Sequence, residues 1–143
     1  MHEVDRQLGK RLEDFLDEIK SLNLNFIICA KSKKGSQRFM IAANVPAEEA
    51  MCTLGNAIPL LFHPEWPGLP WDICSINLVK QLANALMKQV DLLTSEFMIC
   101  FSLKGNASPG GYIAYAGGIA DALDCVYAIT QQMVSLLKMR FSQ

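Results

Sequence analysis

The sequence lacks most of the features that mark an enzyme, a membrane protein or a nucleic-acid-binding protein. It contains two histidines, and its cysteines form neither a Cys-x-x-Cys pair nor a Cys/His cluster of the zinc type. Thirteen basic residues nearly balance fourteen acidic ones, so no net field attracts nucleic acid or an anionic membrane. No apolar run approaches the ~20 residues of a membrane span. The polar segment Met1–Arg6 is also unlike a secretory signal.

The composition predicts one compact domain with a large core. The chain has 143 residues, of which 51% are hydrophobic and 19% are charged. This length suits a single hydrophobic core, and the low charge content is far from that of disordered chains. We expect reduced core thiols in a cytoplasmic protein, because every cysteine lies in apolar surroundings. The five cysteines are Cys29, Cys52, Cys74, Cys100 and Cys125.

Hydrophobic periodicity predicts a helix, a hairpin and a second helix in the first half of the chain. Apolar residues at helical spacing from Leu8 to Leu22 predict an amphipathic helix that ends near Asn23. Two strands joined by a turn are predicted over 25–43. Asn44 is the predicted cap of the next helix, which should end at about Ile58 because a proline follows it.

The same order of elements follows an irregular segment. Three prolines and a glycine within 62–71 exclude regular structure there. Beyond it, we predict a helix capped by Ser75, a strand over 96–103, a long turn, a returning strand over 112–116 and a last helix from Ile119 to about Met139. The apolar positions predicted for the first of these helices are Leu78, Leu82, Ala85, Leu86 and Leu93.

Residues at matching positions of the two halves also agree. A shift of 71 places Phe26, Ile28 and Cys29 on Phe97, Ile99 and Cys100, and a shift of 73 places Ala43, Ala47 and Cys52 on Ala116, Ala120 and Cys125. We therefore predict a single α+β domain over 1–143, made of internally duplicated α-β-β-α units whose four strands form one antiparallel sheet packed with helices. The two pseudo-repeats span about 5–60 and 75–139, and a Pro/Trp-rich connection over 61–74 joins them.

The strands of this sheet require burial on both faces. Phe26–Ala30 and Phe97–Phe101 are apolar at successive positions instead of alternating with polar residues. Four helices could cover both faces of the sheet. If they cover only one face, the other needs a partner, most economically a second copy related by a two-fold axis. A homodimer is therefore our leading expectation.

The stiff segment from His63 to Trp71 is the first candidate binding site. Prolines reduce the entropy that a loop loses on binding, and tryptophan is the residue most enriched at interface hot spots. We predict that His63, Glu65, Trp66 and Trp71 contact a protein partner. The alternative is a linker between the halves whose tryptophans close the edge of the core.

Gly117 and Gly118, between the last strand and the last helix, are the second candidate. Backbone N–H groups at such a turn can face an anion, for example a nucleotide phosphate, at the helix terminus. Lys33, Lys34 and Arg38 on the first hairpin are further candidate anion-binding residues. The alternatives are a tight strand-to-helix turn and a solvated hairpin tip.

No arrangement of residues in the sequence predicts catalysis. A Cys/His dyad would have to pair His63 with one of the buried thiols. Asp121 and Asp124 lie three residues apart, and Glu48 and Glu49 are adjacent, each pair in the first turns of a predicted helix. Complementarity to the helix dipole accounts for both pairs. We predict no enzyme, no catalytic residue, no metal and no cofactor.

The leading hypothesis is therefore a small non-enzymatic cytoplasmic binding, adaptor or inhibitor protein that acts through macromolecular contacts as a homodimer. In size and duplicated form the chain is similar to small accessory proteins of bacteria and their phages, among which inhibitors and adaptors act by surface binding. The alternative hypothesis is a protein that binds or sequesters a small molecule, such as a nucleotide, with an anion site at Gly117 and Gly118. Neither a membrane nor nucleic acid is an expected partner.

Overall fold

The computed structural model describes residues 3–20, 24–33, 38–63, 73–103 and 111–141. In this part of the chain, four long helices and one short helix pack against a four-stranded antiparallel sheet, which confirms the predicted α+β class. The elements in chain order are α1 (Glu3–Ile19), β1 (Leu24–Ser32), β2 (Phe39–Ala43), α2 (Ala47–Ala57), α3 (Pro59–Phe62), α4 (Ile73–Val90), β3 (Thr94–Leu103), β4 (Tyr112–Ala116) and α5 (Ile119–Phe141).

The sheet consists of two hairpins that meet at its centre. The strand order is β2-β1-β3-β4, and β1 pairs with β3 in antiparallel orientation. Ile28 lies opposite Ile99 in this central pair, and the sequence shift of 71 relates the same two residues. The two halves therefore meet at matching positions, with the same order of elements on each side. A common origin of the halves, with the repeat boundaries given above, stays a prediction.

Helices cover both faces of the sheet. Because successive side chains of a strand point to opposite faces, Ile27 and Cys29 lie in one core and Phe26 and Ile28 in the other. The first core is closed by α2 and α5, and the second by α1 and α4. A second copy is therefore not needed to cover a bare sheet face. A homodimer would have to form through another surface, such as the outer faces of the helices or the edge strands β2 and β4.

The buried stripe of α4 is rotated by one position from the predicted one. Leu78 is 42% exposed, whereas Val79, Ala83, Leu86 and Val90 are buried against the sheet. The buried set follows the same helical spacing as the predicted one, so periodicity alone does not distinguish them. Only the packing against the sheet and α1 determines which stripe faces inward.

The sequence predicted that Asn44 caps α2, but it does not. Pro46 occupies the cap position and its side chain makes no capping bond. Asn44 instead closes the open end of β1: its Oδ1 accepts a hydrogen bond from the Phe26 N–H at 2.9 Å, and its Nδ2 donates to the Leu24 carbonyl at 2.7 Å. These backbone groups of β1 lie beyond the last residue paired with β2, so a side chain takes the place of the strand partner.

Candidate functional site

The predicted partner-binding residues are only partly within the described structure. His63 is exposed and follows the last residue of α3, where its backbone N–H donates to the Pro59 carbonyl. Glu65, Trp66 and Trp71 lie outside the described residues. The binding role of this segment therefore stays a prediction.

The basic hairpin is also only partly described. Lys33 and Arg38 are exposed, and Lys34 lies outside the described residues. The Lys33 N–H donates to the Leu93 carbonyl at 2.9 Å, which ties the end of β1 to the turn after α4. Lys31 lies further along β1, with its ammonium 5.5 Å from the centre of the Phe39 ring. The hairpin thus carries exposed cations, and the strand pairing places its base at the same end of the sheet as the glycine turn, since Lys31 lies opposite Glu96 and Phe97 lies opposite Ala116.

Carboxylates surround the glycine turn between β4 and α5. Gly117 has a positive φ of 85°, and the Gly118 N–H donates to Asp121 Oδ2 at 3.1 Å. Carboxylate oxygens of Glu96, Asp121 and Asp124 all lie within 4.8 Å of one another. The turn is therefore negative, and a side chain of the same helix takes the backbone donor that a phosphate would use.

The carboxylate cluster favours a proton over an anion. Burial, and then the neighbouring Asp124 carboxylate, raise the pKa of Glu96 above its ordinary value, while Lys31 opposes the rise. Lys31 lies opposite Glu96 in the β1–β3 pair. Oxygen ligands at this spacing could also hold a hard cation. Glu96 was not predicted as a site residue, because it lies on a strand 25 positions before Asp121 and no local pattern links the two.

Three of the cysteines lie together in the core under α5. Cys29, Cys100 and Cys125 are buried and free. The hydrogen bond to Cys125 and then burial raise the pKa of the Cys29 thiol, and burial raises the pKa of the Cys100 thiol. Thiols with raised pKa values are poor nucleophiles at neutral pH. Cys52 on α2 is exposed, in contrast to the expected core position.

The exposed apolar surface is concentrated on α5. Seven of the ten large apolar side chains that are exposed in the described structure belong to this helix, and none belongs to α1. Tyr127 is 65% exposed and Phe141 is 81% exposed. Although α5 has 23 residues, none of the described helices is both long and apolar enough to cross a membrane. The apolar residues of α5 therefore need another explanation.

Four of these seven exposed residues, namely Leu123, Tyr127, Val134 and Phe141, lie on one regular stripe, together with the small Ala120 and the half-buried Thr130 and Leu137. Its positions recur at alternating spacings of three and four, which is the a/d pattern of a helix that packs against another helix. We call this set the α5 stripe: Ala120, Leu123, Tyr127, Thr130, Val134, Leu137 and Phe141. The stripe lies about 120° around the helix from the buried face of Ala122, Cys125, Ile129 and Met133, at 3.6 residues per turn.

Charges of opposite sign lie at the two ends of the stripe. Asp121 and Asp124 are in the first two turns of α5, and Lys138 and Arg140 are in its last turn. Arg140 forms an ion pair with Glu48 at the start of α2. Lys138 forms no ion pair with another residue of the described chain, and it lines a shallow depression with Val134, Leu137 and Phe141.

No protein-family model matches the chain, and neither a curated protein nor a solved structure matches it. Its function has to be inferred from the geometry of the described residues. Two features of the described structure are candidate functional sites, namely the α5 stripe and the carboxylate cluster at the start of the same helix.

Proposed function

We propose that this chain is a non-enzymatic binding protein that acts through contacts with another macromolecule, and that the α5 stripe makes these contacts. The observation that supports the proposal is the concentration of exposed apolar side chains on one helix, four of which recur in the regular a/d spacing. Contiguous exposed apolar surface on a water-soluble domain marks an interaction site. A helix with such a stripe binds by laying it against a partner surface.

The contrast between the two helical layers supports this assignment. The outer face of α1 is charged, with Arg6, Glu13 and Asp17 all exposed. The outer face of α5 exposes Leu123, Tyr127 and Val134 instead. Both layers already bury one face against the sheet. Folding therefore does not require apolar residues on the outer face of α5. A function in binding gives these residues a role.

The thiols and carboxylates that could act as catalytic groups are buried or have a structural role. The Cys29 and Cys100 thiols are buried and their pKa values are raised. Asp121 bonds the backbone at the start of α5, so at least one member of the carboxylate cluster has a structural role. These observations favour a binding protein over an enzyme.

The alternative of a small anionic ligand receives less support. An anion at Gly117 and Gly118 would lie beside Asp121, Asp124 and Glu96, and like charges at this distance repel. The predicted contribution of the Trp66–Trp71 segment to partner binding is independent of this point and remains part of the proposal. It would extend the binding surface beyond α5.

Photo-crosslinking in living cells tests the proposed surface. The amino acid p-benzoylphenylalanine is placed at Tyr127 in one variant and at Leu92 in a control, and the chain is expressed in its own host. Leu92 is 84% exposed but lies after α4, outside the stripe. Adducts should form at position 127 and be absent or much weaker at position 92, and mass spectrometry identifies the second component.

Either of two kinds of adduct at position 127, to another protein or to a second copy of the chain, would support a binding function. Equal adducts at both positions would contradict the assignment of the stripe, because they would reflect exposure alone. The absence of any adduct at position 127, with full-length protein of native circular dichroism, would overturn the proposal.

A further inference from the structure

We propose that the α5 stripe binds the α5 stripe of a second copy of this chain, with the two helices antiparallel across a two-fold axis near Gln131. This inference rests on the proposed function and names the partner. It has a different basis from the homodimer expected from the sequence, because both sheet faces are already covered. Three observations support it, namely the spacing of the stripe, the state of its two hydroxyl groups and the distribution of charge.

The spacing of the stripe fits a helix of the same kind. Ala120 to Phe141 covers 22 residues, or about 33 Å at 1.5 Å per residue. An a/d pattern over three heptads is the length at which helix pairs become specific, and two identical stripes match in length and spacing. In an antiparallel pair the layers are Leu123 with Phe141, Tyr127 with Leu137, and Thr130 with Val134, each twice.

The polar member of the stripe is compatible with a closed seam. The Thr130 hydroxyl donates to the Val126 carbonyl of its own helix at 2.8 Å. Its hydrogen-bonding needs are therefore met within the chain, and its methyl group is free to face the second copy. Tyr127 accepts a hydrogen bond from Gln131 Nε2 at its hydroxyl, at 2.7 Å. A second helix can thus cover the Thr130 hydroxyl without leaving its donor unsatisfied.

Charge determines the direction of the pairing. Asp124, Gln131 and Lys138 recur every seven residues along the same flank of the stripe, and all three are exposed. In an antiparallel pair, Asp124 lies beside Lys138 of the second copy, Gln131 lies beside its own equivalent, and Lys138 lies beside Asp124. A parallel pair would bring the acidic ends together and the basic ends together, which is unfavourable. The helix dipoles favour the same antiparallel arrangement.

The first test measures the mass of the full chain in solution. Sedimentation equilibrium over a hundredfold range of concentration should give a dimer at the upper end. Tyr127→Glu should raise the dimer dissociation constant by at least about a hundredfold, because it buries a carboxylate in the seam twice. Leu92→Ser, at an exposed apolar residue outside the stripe, should leave the dissociation constant within about twofold.

A charge exchange tests the antiparallel register. Asp124→Lys alone should raise the dissociation constant about tenfold, since two ion pairs per dimer become two repulsive contacts. Lys138→Asp alone should do the same. The double variant, with both charges exchanged, should return to within about threefold of the wild type. Circular dichroism of each variant shows that the fold is retained.

A bismaleimide crosslink provides a second test that does not depend on affinity. In a background of Cys52→Ser and Cys74→Ser, Gln131→Cys should form a covalent dimer with a short reagent, because the two-fold axis passes near this position. Asp124→Cys should not crosslink to itself. A mixture of Asp124→Cys chains with Lys138→Cys chains should crosslink.

Three outcomes would overturn the inference: a wild-type monomer at all concentrations, a dimer that Tyr127→Glu leaves intact, or self-crosslinking of Asp124→Cys, which indicates parallel helices. None of these would remove the proposed binding function, which the photo-crosslinking at position 127 tests separately. A chain that is monomeric but forms adducts with another protein at that position keeps the function and loses the self-association.

Discussion

At the scale of single residues, the turn before α5 offers a matched pair of glycines. Gly117 has a positive φ of 85°, and a Cβ at this position would collide with Asp121 Oδ2. Gly118 has no atom within 4 Å of the corresponding position. Gly117→Ala should therefore lower the free energy of unfolding by about 1–2 kcal/mol or more. Gly118→Ala should lower it by less, about 0.5 kcal/mol, because alanine is a poorer N-cap residue than glycine.

Urea denaturation of both variants, monitored by circular dichroism, measures this difference. Asp121→Ala in the Gly117→Ala background, compared with Asp121→Ala alone, shows how much of the loss comes from the collision with the Asp121 side chain. Equal effects of the two glycine substitutions would mean that the turn does not require the left-handed conformation.

The residue scale also includes a pH effect at Glu96. Its pKa in the folded chain is raised above the ordinary value of 4.5, chiefly by burial and by Asp124. The folded state therefore binds more protons than the unfolded state, and this contribution to stability is present below pH 4.5 and is lost as pH rises through the folded-state pKa. Glu96→Gln removes the loss, so it should stabilise the chain more at pH 7 than at pH 4.5.

Chemical denaturation at the two pH values measures this change. Glu13→Gln, at an exposed position on α1, is the control and should show no comparable difference between them. If Glu96→Gln has the same effect on the free energy of unfolding at both pH values, the pKa of Glu96 is not raised in the folded chain.

At the scale of elements, Asn44 acts as the end of a strand. It satisfies the Phe26 N–H and the Leu24 carbonyl, two backbone groups that β2 does not reach. Asn44→Ala should lower the free energy of unfolding by about 1–2 kcal/mol, because these groups lose their partner. Asn44→Asp should also destabilise the chain, since its carboxylate still accepts from the Phe26 N–H but places an acceptor oxygen against the Leu24 carbonyl. Hydrogen exchange at the Phe26 amide checks the cause, and unchanged protection in Asn44→Ala would contradict it.

The strands were the elements that the sequence predicted best. The hairpin strand over 112–116 has the predicted limits, and β1 begins one residue before the predicted start. Apolar β-branched and aromatic runs bounded by turn residues are local signals, so a single sequence contains them. Helix ends and faces depend on packing, which explains why α4 begins before Ser75 and turns Leu78 outward.

The α5 stripe was not predicted, for a related reason. The last helix is apolar on two sides, and its sequence alone does not separate the side that meets the sheet from the side that meets solvent. Cys125 and Ile129 have the same helical periodicity as Leu123 and Tyr127. Only the fold, which places the first pair against β1 and β3, leaves the second pair exposed. The carboxylate cluster was not predicted either. Its members come from β3 and α5, and only the fold brings these two elements together.

At the scale of the whole molecule, the two helical layers differ in what they leave exposed. The α1/α4 layer closes its core beneath a charged surface, whereas the α2/α5 layer closes its core and leaves a second apolar surface on α5. The fold thus has one layer suited to water and one suited to a partner. If that partner is a second copy, both cores of each chain are complete before association, and the dimer joins two folded domains.

This separation leads to a prediction about stability. Because only the folded chain presents the α5 stripe, dimerisation stabilises the folded state, and the midpoint of thermal unfolding should rise with protein concentration. Over a hundredfold increase above the dissociation constant, the rise should be roughly 5 °C. Tyr127→Glu should remove the concentration dependence yet still unfold in one cooperative transition, since both cores remain intact. Differential scanning calorimetry of the two proteins measures both quantities. A midpoint that is independent of concentration in the wild type would mean that the stripe binds a partner other than a second copy of the chain. A variant without a cooperative transition would mean that α5 does not pack stably on the sheet in the monomer.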